Sequence, residues 1–364
     1  MSVKPRPGIL DVAPYVGGES KAAGANRVIR LASNENPLGP SAQAIAAYAA
    51  EKDKLHRYPD GGATELRQAI AENESLEAAR IVCGAGSDEL IGLLVRAYAG
   101  PGDEVLYSEH GFLMYPISAK TAGATPVAAP EANLTADVDG LLARVTDRTR
   151  LVFIANPNNP TGSYLSESEL KRLHKGLPDH VLLVIDAAYA EYVTAPDYPQ
   201  AAAMVEAADN VVMLRTFSKI HGLAALRLGW AYGPPAVIDV LNRVRGPFNV
   251  SQAAQAAGIA AVQDRDHVAR SVAHNSKWLA WFSAEVAKTG IEVLPSAGNF
   301  VLLRFPGGTA QAEAVLAAAK RQGILLRGMA GYGLPDCLRV TIGTEDDMRA
   351  TAEALQEAVA EAVR

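Results

Sequence analysis

Residues 215–227 read Arg-Thr-Phe-Ser-Lys-Ile-His-Gly-Leu-Ala-Ala-Leu-Arg, directly after the apolar run Val-Val-Met-Leu at 211–214. A strand-like segment thus delivers the hydroxyls of Thr216 and Ser218, the amine of Lys219 and, eight residues on, a further cation at Arg227. Small hydroxyls and a cation suit a phosphate, and a lysine among them suits an aldehyde. An amine beside another positive charge, or partly out of water, falls below its reference pKa of about 10.4, and its free base attacks a carbonyl. Lys219 is therefore a candidate Schiff-base lysine for pyridoxal 5'-phosphate. A lone lysine in such a loop is otherwise an ordinary exposed residue, so the rest of the chain has to decide.

Four more apolar runs end in polar or aromatic groups. Residues 81–90, Ile-Val-Cys-Gly-Ala-Gly-Ser-Asp-Glu-Leu, close a short strand in a glycine turn and open a helix to about Tyr98. The free N–H groups at that start, around Gly86 and Ser87, form a phosphate cradle, although the same pattern also begins structural helices. It does not continue as Gly-x-Gly-x-x-Gly, which argues against a dinucleotide site. A strand at 103–107 precedes His110, Phe112 and Tyr115, with Phe112 a candidate flat partner for a pyridine ring or else a core residue. Residues 151–155 stop at Asn-Pro-Asn-Asn-Pro-Thr-Gly, a rigid turn in which Asn159 offers an amide to an anionic ring oxygen. Residues 181–185 end in Asp186, with Tyr189 three positions later. A carboxylate there can keep a pyridine nitrogen protonated, and the phenol can donate to the neighbouring ring oxygen.

Strands ending near Tyr107, Ala155, Ile185 and Leu214, with helical patterns between them, place these groups on one edge of a mostly parallel sheet in an α/β fold. An aromatic plate, an amide, a carboxylate, a lysine and a phosphate cradle meeting there are the residue-level case for pyridoxal phosphate.

The motif Thr-Phe-Ser-Lys-Ile-His-Gly-Leu-Ala-Ala-Leu-Arg-Leu-Gly resembles the cofactor-lysine motif of fold type I aminotransferases, and most closely that of the histidinol-phosphate aminotransferase family. The likeness runs from Leu31 to about Gly343. It implies a large domain with a mostly parallel seven-stranded sheet, a smaller α+β domain, and a homodimer with shared active sites. It also implies that Tyr58, in the turn His-Arg-Tyr-Pro-Asp-Gly-Gly at 56–62, reaches the cofactor phosphate of the other subunit. The loop at 31–41, Leu-Ala-Ser-Asn-Glu-Asn-Pro-Leu-Gly-Pro-Ser, would lie beside the site with Asn36 at the substrate, and Ser41 would cap the next helix. Tyr15, Asn299, Arg327 and Arg339 would complete the substrate side, Arg339 gripping a carboxylate or phosphate. Independently of the likeness, Arg327 and Arg339 lie at the end and the middle of apolar strands, where a guanidinium requires an anionic partner.

The implied reaction joins L-histidinol phosphate and 2-oxoglutarate to glutamate and imidazole-acetol phosphate, the family's step in histidine biosynthesis. Relatives sharing the motifs act on phenylalanine and tyrosine, or decarboxylate phosphorylated threonine. Ala225 and Gly328 depart slightly from the expected pattern. A pyridoxal-binding regulator would carry a basic DNA-binding domain ahead of the fold, and the arm of about 30 residues is too short for one; a dehydrogenase would need the missing third glycine.

The expected organisation is an arm at 1–30, a large cofactor domain at 31–246, and a small domain at 247–364. Long helices are expected at 251–262 and 266–289, small-domain strands at 300–304, 324–327 and 338–342, and a closing helix from Glu345. The arm and the helices after Gly246 are expected to pack with the small domain.

With 364 residues, 49% hydrophobic and 20% charged, the composition is that of a water-soluble globular protein with an ample core. A net charge of −6 favours neither nucleic acid nor an anionic membrane, so any anionic ligand must be held by local cations. Cys83 and Cys337 are too few for a disulfide framework or a zinc site, and no other metal site is expected. No apolar run reaches membrane-spanning length, and residues 1–10 lack a signal-peptide core. A cytoplasmic protein is the expectation.

Overall fold

The computed structural model describes residues 3–6, 8–15, 17–21 and 27–362. Seven strands form the main sheet: β1 (Ile81–Gly84), β2 (Glu104–Ser108), β3 (Thr125–Ala129), β4 (Thr149–Ala155), β5 (Leu182–Asp186), β6 (Val211–Thr216) and β7 (Gly229–Tyr232). Their spatial order is β1-β7-β6-β5-β4-β2-β3. All neighbours run parallel except β7, which is antiparallel to both β1 and β6.

The continuous apolar runs follow from burial on both faces. In β5, Leu183 and Ile185 join one core cluster while Leu182 and Val184 join the other. Helix α2 (Ser87–Tyr98) covers the second face with Leu90, Ile91 and Leu94. Helices α1 (Ala42–Ala50) and α3 (Gln252–Gln263) begin at serine caps, Ser41 Oγ accepting from Ala44 N and Ser251 Oγ from Ala254 N, each at 3.2 Å.

Expectation and structure differ at three places. Helix α3 does not pack with the small domain: Ala254, Ala257 and Ala261 sit in the large-sheet core, against α1 and the helix Thr64–Glu74. Its alanine-rich surface allows that close approach. The small-domain core begins further on, with Trp278 and Phe282 of α4 (Arg265–Ala287), and it takes in Ile29 from the arm and Leu31, the first residue of the expected large domain. The expected strand at 324–327 divides at Leu326. Ile324–Leu325 pairs in parallel with Ile29–Arg30, so the arm is not wholly irregular, and Arg327–Gly328 turns to a different partner.

That partner belongs to an antiparallel sheet of β8 (Glu292–Val293), β9 (Phe300–Arg304), β10 (Arg327–Gly328) and β11 (Cys337–Thr341), in the order β8-β9-β11-β10. Helix α5 (Glu345–Ala362) closes the chain against α4. Among the described residues, no helix is long and apolar enough to cross a membrane.

Behind the cofactor-motif strand lies a largely buried ion pair, its side chains 13% and 12% exposed. Arg215 Nη2 meets Glu191 Oε1 at 2.8 Å, Glu74 stands 3.9 Å away, and the guanidinium lies 5.6 Å from the Trp230 ring centre. It ties β6 to the turn after β5. Because a buried charge stripped of its partner is costly, Glu191→Ala is expected to destabilise the protein by about 3 kcal/mol in denaturant unfolding. A loss below about 0.5 kcal/mol, the range of ordinary surface changes, would mean the pair is not structural.

Candidate active site

The strand ends converge on a cavity of about 280 Å³. Register brings them together: Asp186, the last residue of β5, pairs with Ala155 of β4 on one side and Leu214 of β6 on the other. Its Oδ2 accepts from Tyr115 OH at 2.8 Å, while Oδ1 is buried with no hydrogen-bond partner among the described residues. Burial raises the Asp186 pKa to about 6, against the lowering effect of the Tyr115 hydrogen bond.

Lys219 faces the same space. Its Nζ donates to Ser33 O at 3.3 Å and lies 5.6 Å from the Tyr189 ring centre. Removal from water, helped by the nearby Arg339 charge, holds the amine down to about 8. Tyr189 OH accepts from Asn34 Nδ2 at 2.9 Å, its pKa pushed up to about 12 by burial. Phe112 lines the cavity, edge-on to Tyr115 with ring centres 5.9 Å apart.

At the start of α2, Gly86 has φ +90°, and a Cβ there would lie 2.5 Å from Arg227 Nη2. Glycine therefore lets the guanidinium approach the turn. Ser87, Asp88, Thr216, Ser218 and Arg227 line the wall here, with Arg227 Nη2 on Asp88 Oδ2 at 2.9 Å and Nη1 on Ser218 Oγ at 3.4 Å.

The small domain contributes Arg327, Tyr332 and Arg339. Arg339 is buried; its Nη2 donates to Ala32 O at 2.8 Å, Nη1 donates to Asn159 Oδ1, and Nε has no hydrogen-bond partner among the described residues. Arg327 sits directly opposite Arg339 across the β10–β11 pair. Like charges so placed repel, a cost that an anion between them removes.

Of the residues singled out in the sequence, Lys219, Asp186, Tyr189, Ser87, Phe112, Asn159, Thr216, Ser218, Arg227, Tyr15, Arg327 and Arg339 all line this cavity, with Gly86 immediately behind Arg227. Three do not. Asn36 points away, donating to Ile220 O at 2.7 Å and Ser271 Oγ at 3.0 Å. Asn299 donates to the carbonyls of Asn34 and Glu35 at 3.0 and 3.3 Å. Neither amide is among the residues lining the cavity: each is buried and gives its donors to backbone or a hydroxyl, as buried polar groups must. Tyr58 is 83% exposed, stacked on Phe248 with ring centres 4.6 Å apart, outside its own chain's cavity. Sequence reasoning missed Asn34, Tyr332, Asp88 and the hydroxyl role of Tyr115. Alternation could not have separated Asn34 from Asn36, since residues two apart on a strand share a face; the left-handed backbone at Asn34, φ +55°, breaks that pattern.

Pyridoxal phosphate fits this arrangement. The unpartnered Asp186 oxygen requires a cationic or donor group, Lys219 has its proton affinity lowered toward neutral pH, and the Gly86 turn holds a guanidinium where a phosphate would lie. A buried lysine of lowered pKa facing a buried carboxylate across the carboxyl edge of a parallel sheet is the equipment of a pyridoxal-phosphate enzyme.

Residues 26–355 match the family described as aminotransferase class I and II. A histidinol-phosphate aminotransferase of Rhodospirillum centenum is 60% identical over 96% of this chain and 97% of its own length. One from Paramagnetospirillum magneticum is 56% identical over 98% of both. The crystal structure of histidinol-phosphate aminotransferase from Sinorhizobium meliloti in complex with pyridoxal-5'-phosphate superimposes with a TM-score of 0.90 at 29% identity, covering 100% of this chain and 99% of that one. The chain belongs to the class I and II aminotransferases and, within them, to the histidinol-phosphate aminotransferase family. Its cofactor is pyridoxal 5'-phosphate.

A raised carboxyl pKa carries a signed consequence. The folded chain holds the Asp186 proton up to about 6 whereas an unfolded one loses it near 3.8, so folding is penalised as pH rises through that window. In cofactor-free protein, Asp186→Asn is expected to melt above wild type at pH 7, with the gap closing by about pH 4. An equal or lower melting temperature for the variant at pH 7 would show that the carboxylate is not desolvated.

Proposed function

We propose that this protein transfers the amino group of L-histidinol phosphate to 2-oxoglutarate in histidine biosynthesis, working in the cytoplasm as a homodimer. The observation that carries the reading is one cavity in which a lysine of lowered pKa and a buried carboxylate lie with two arginines, in a chain 60% identical to a histidinol-phosphate aminotransferase.

When bound, the cofactor supplies an electron sink for the carbanion left as the donor's amine-bearing carbon loses its proton. Asp186 Oδ1 would keep the ring nitrogen protonated and would itself be held ionised by that contact. Tyr189 OH, which accepts from Asn34, keeps its own proton to donate to the ring oxygen, and the Asn159 amide nitrogen is a second donor there. Phe112 covers a ring face. Thr216, Ser218, Arg227 and the amides after Gly86 hold the phosphate, fixing the ring while protons move.

Lys219 Nζ would hold the cofactor at its aldehyde carbon and would be the base that takes the proton from the substrate carbon and the acid that returns it. With a pKa near 8 it is ready for both tasks at neutral pH. Arg339 and Arg327 receive the donor's phosphate, and in the second half-reaction the distal carboxylate of the 2-oxo acid. Tyr15 covers this side, and Asn36 and Asn299 brace the loop that carries Asn34. Tyr58, exposed on its own chain, serves the phosphate of a second copy.

Spectral titration with L-histidinol phosphate, phenylalanine, tyrosine and glutamate tests the substrate. Histidinol phosphate is expected to bleach the yellow bound cofactor at the lowest concentration; an aromatic amino acid doing so first would displace the proposal. Lys219→Ala should still bind cofactor while turnover falls at least about 10²–10⁴-fold, the usual worth of a positioned acid–base group. Normal turnover would remove Lys219 from the chemistry. Gly86→Ala should weaken cofactor binding about tenfold or more in equilibrium dialysis, because the methyl meets Arg227 in a strained backbone. Unchanged affinity would show that this turn does not hold the phosphate.

A further inference from the structure

Three carboxylates line the cavity: Asp88, Asp186 and Glu35. Asp88 is paired with Arg227, and Asp186 is aimed at the ring nitrogen. Glu35 has no part in the proposed cofactor binding, yet it stands in a wall otherwise built to hold anions. It follows Ser33, whose carbonyl receives the Lys219 amine, and Ala32, whose carbonyl receives Arg339, so it lies on the segment beside both the reacting amine and the substrate-side arginine. Its charge is felt at Lys219, where it opposes the lowering of the amine pKa. Its backbone is pinned, since Glu35 O accepts from Asn299 Nδ2 at 3.3 Å. Its only ion-pair partner among the described contacts is Arg30 at 3.1 Å, which is not part of the cavity wall; the two side chains are 41% and 50% exposed. A half-exposed pair of this kind contributes little and is readily exchanged.

An amino donor that puts a phosphate on Arg327 and Arg339 has one other arm to place. In L-histidinol phosphate that arm is an imidazole, whose unperturbed pKa of about 6.5 leaves it partly cationic and always a hydrogen-bond donor near neutral pH. We propose that Glu35 is a specificity-determining residue that receives the nitrogen-bearing ring of the amino donor and favours it over a neutral aromatic ring of the same size. This rests on the proposed function. It gives the pinned 32–35 segment two tasks: its backbone steadies Lys219 and Arg339, and its carboxylate reads the ring.

The test compares two donors with the same phosphate and amine, L-histidinol phosphate and L-phenylalaninol phosphate. It uses kcat/KM of the holoenzyme and, as a readout independent of turnover, calorimetric affinity for the cofactor-loaded Lys219→Ala variant. Wild type should prefer the imidazole donor, and Glu35→Gln should reduce that preference about tenfold in both measurements, the worth of one charge-assisted hydrogen bond. Retention of the full preference by Glu35→Gln would overturn the inference while leaving the proposed function intact. So would an equal fall for both donors, which is what a merely structural role produces. Wild type turning over neither donor would remove the proposed function, and the inference with it.

Discussion

A carboxylate carried into the protein interior at the end of a parallel strand must meet a positive or donating partner, and much of this molecule is arranged around that demand at Asp186. Tyr115 satisfies one oxygen and the other is left open. Left alone, the group costs stability and drifts toward its neutral form; offered a ring N–H it becomes a strong, directional hold. The neighbouring strands converge on the same space. Ala155 and Leu214 flank Asp186 in register, and the turns that follow them bring Asn159 and Lys219 to the cavity.

The second demand is electrostatic. The chain is net acidic, so its affinity for phosphorylated and carboxylated small molecules has to come from a few placed cations. Arg227 waits on Asp88 behind a turn only glycine permits, and Arg327 and Arg339 face each other across a strand pair. All four of Arg227, Asp88, Arg327 and Arg339 line the one cavity. The Arg215–Glu191 pair, with Glu74 nearby, is the opposite kind, an internal contact that joins β6 to the turn after β5.

Much of the site was legible in the sequence because its residues sit at strand ends, where an apolar run followed by a polar group marks both the strand and the edge. The main-sheet strands at 151–155, 181–185 and 211–214 were readable for the same reason. Residues whose role depends on packing at a distance were not. Whether Asn34 or Asn36 faces the cavity is decided by Ile220 and Ser271, far along the chain. Helix α3 carries no mark that tells large-domain from small-domain packing, because an alanine surface fits either. Nor does the apolar run at 324–327 show that it changes partner at Leu326, since both ladders accept it.

The most direct test of the central claim, that Lys219 at this sheet edge bears the cofactor, is borohydride reduction of the cofactor-bound protein followed by peptide mass mapping. The pyridoxyl mass is expected on the peptide that contains Lys219 and on no other lysine. Its appearance on another residue, or a protein that carries no fixed cofactor after reduction, would contradict the account.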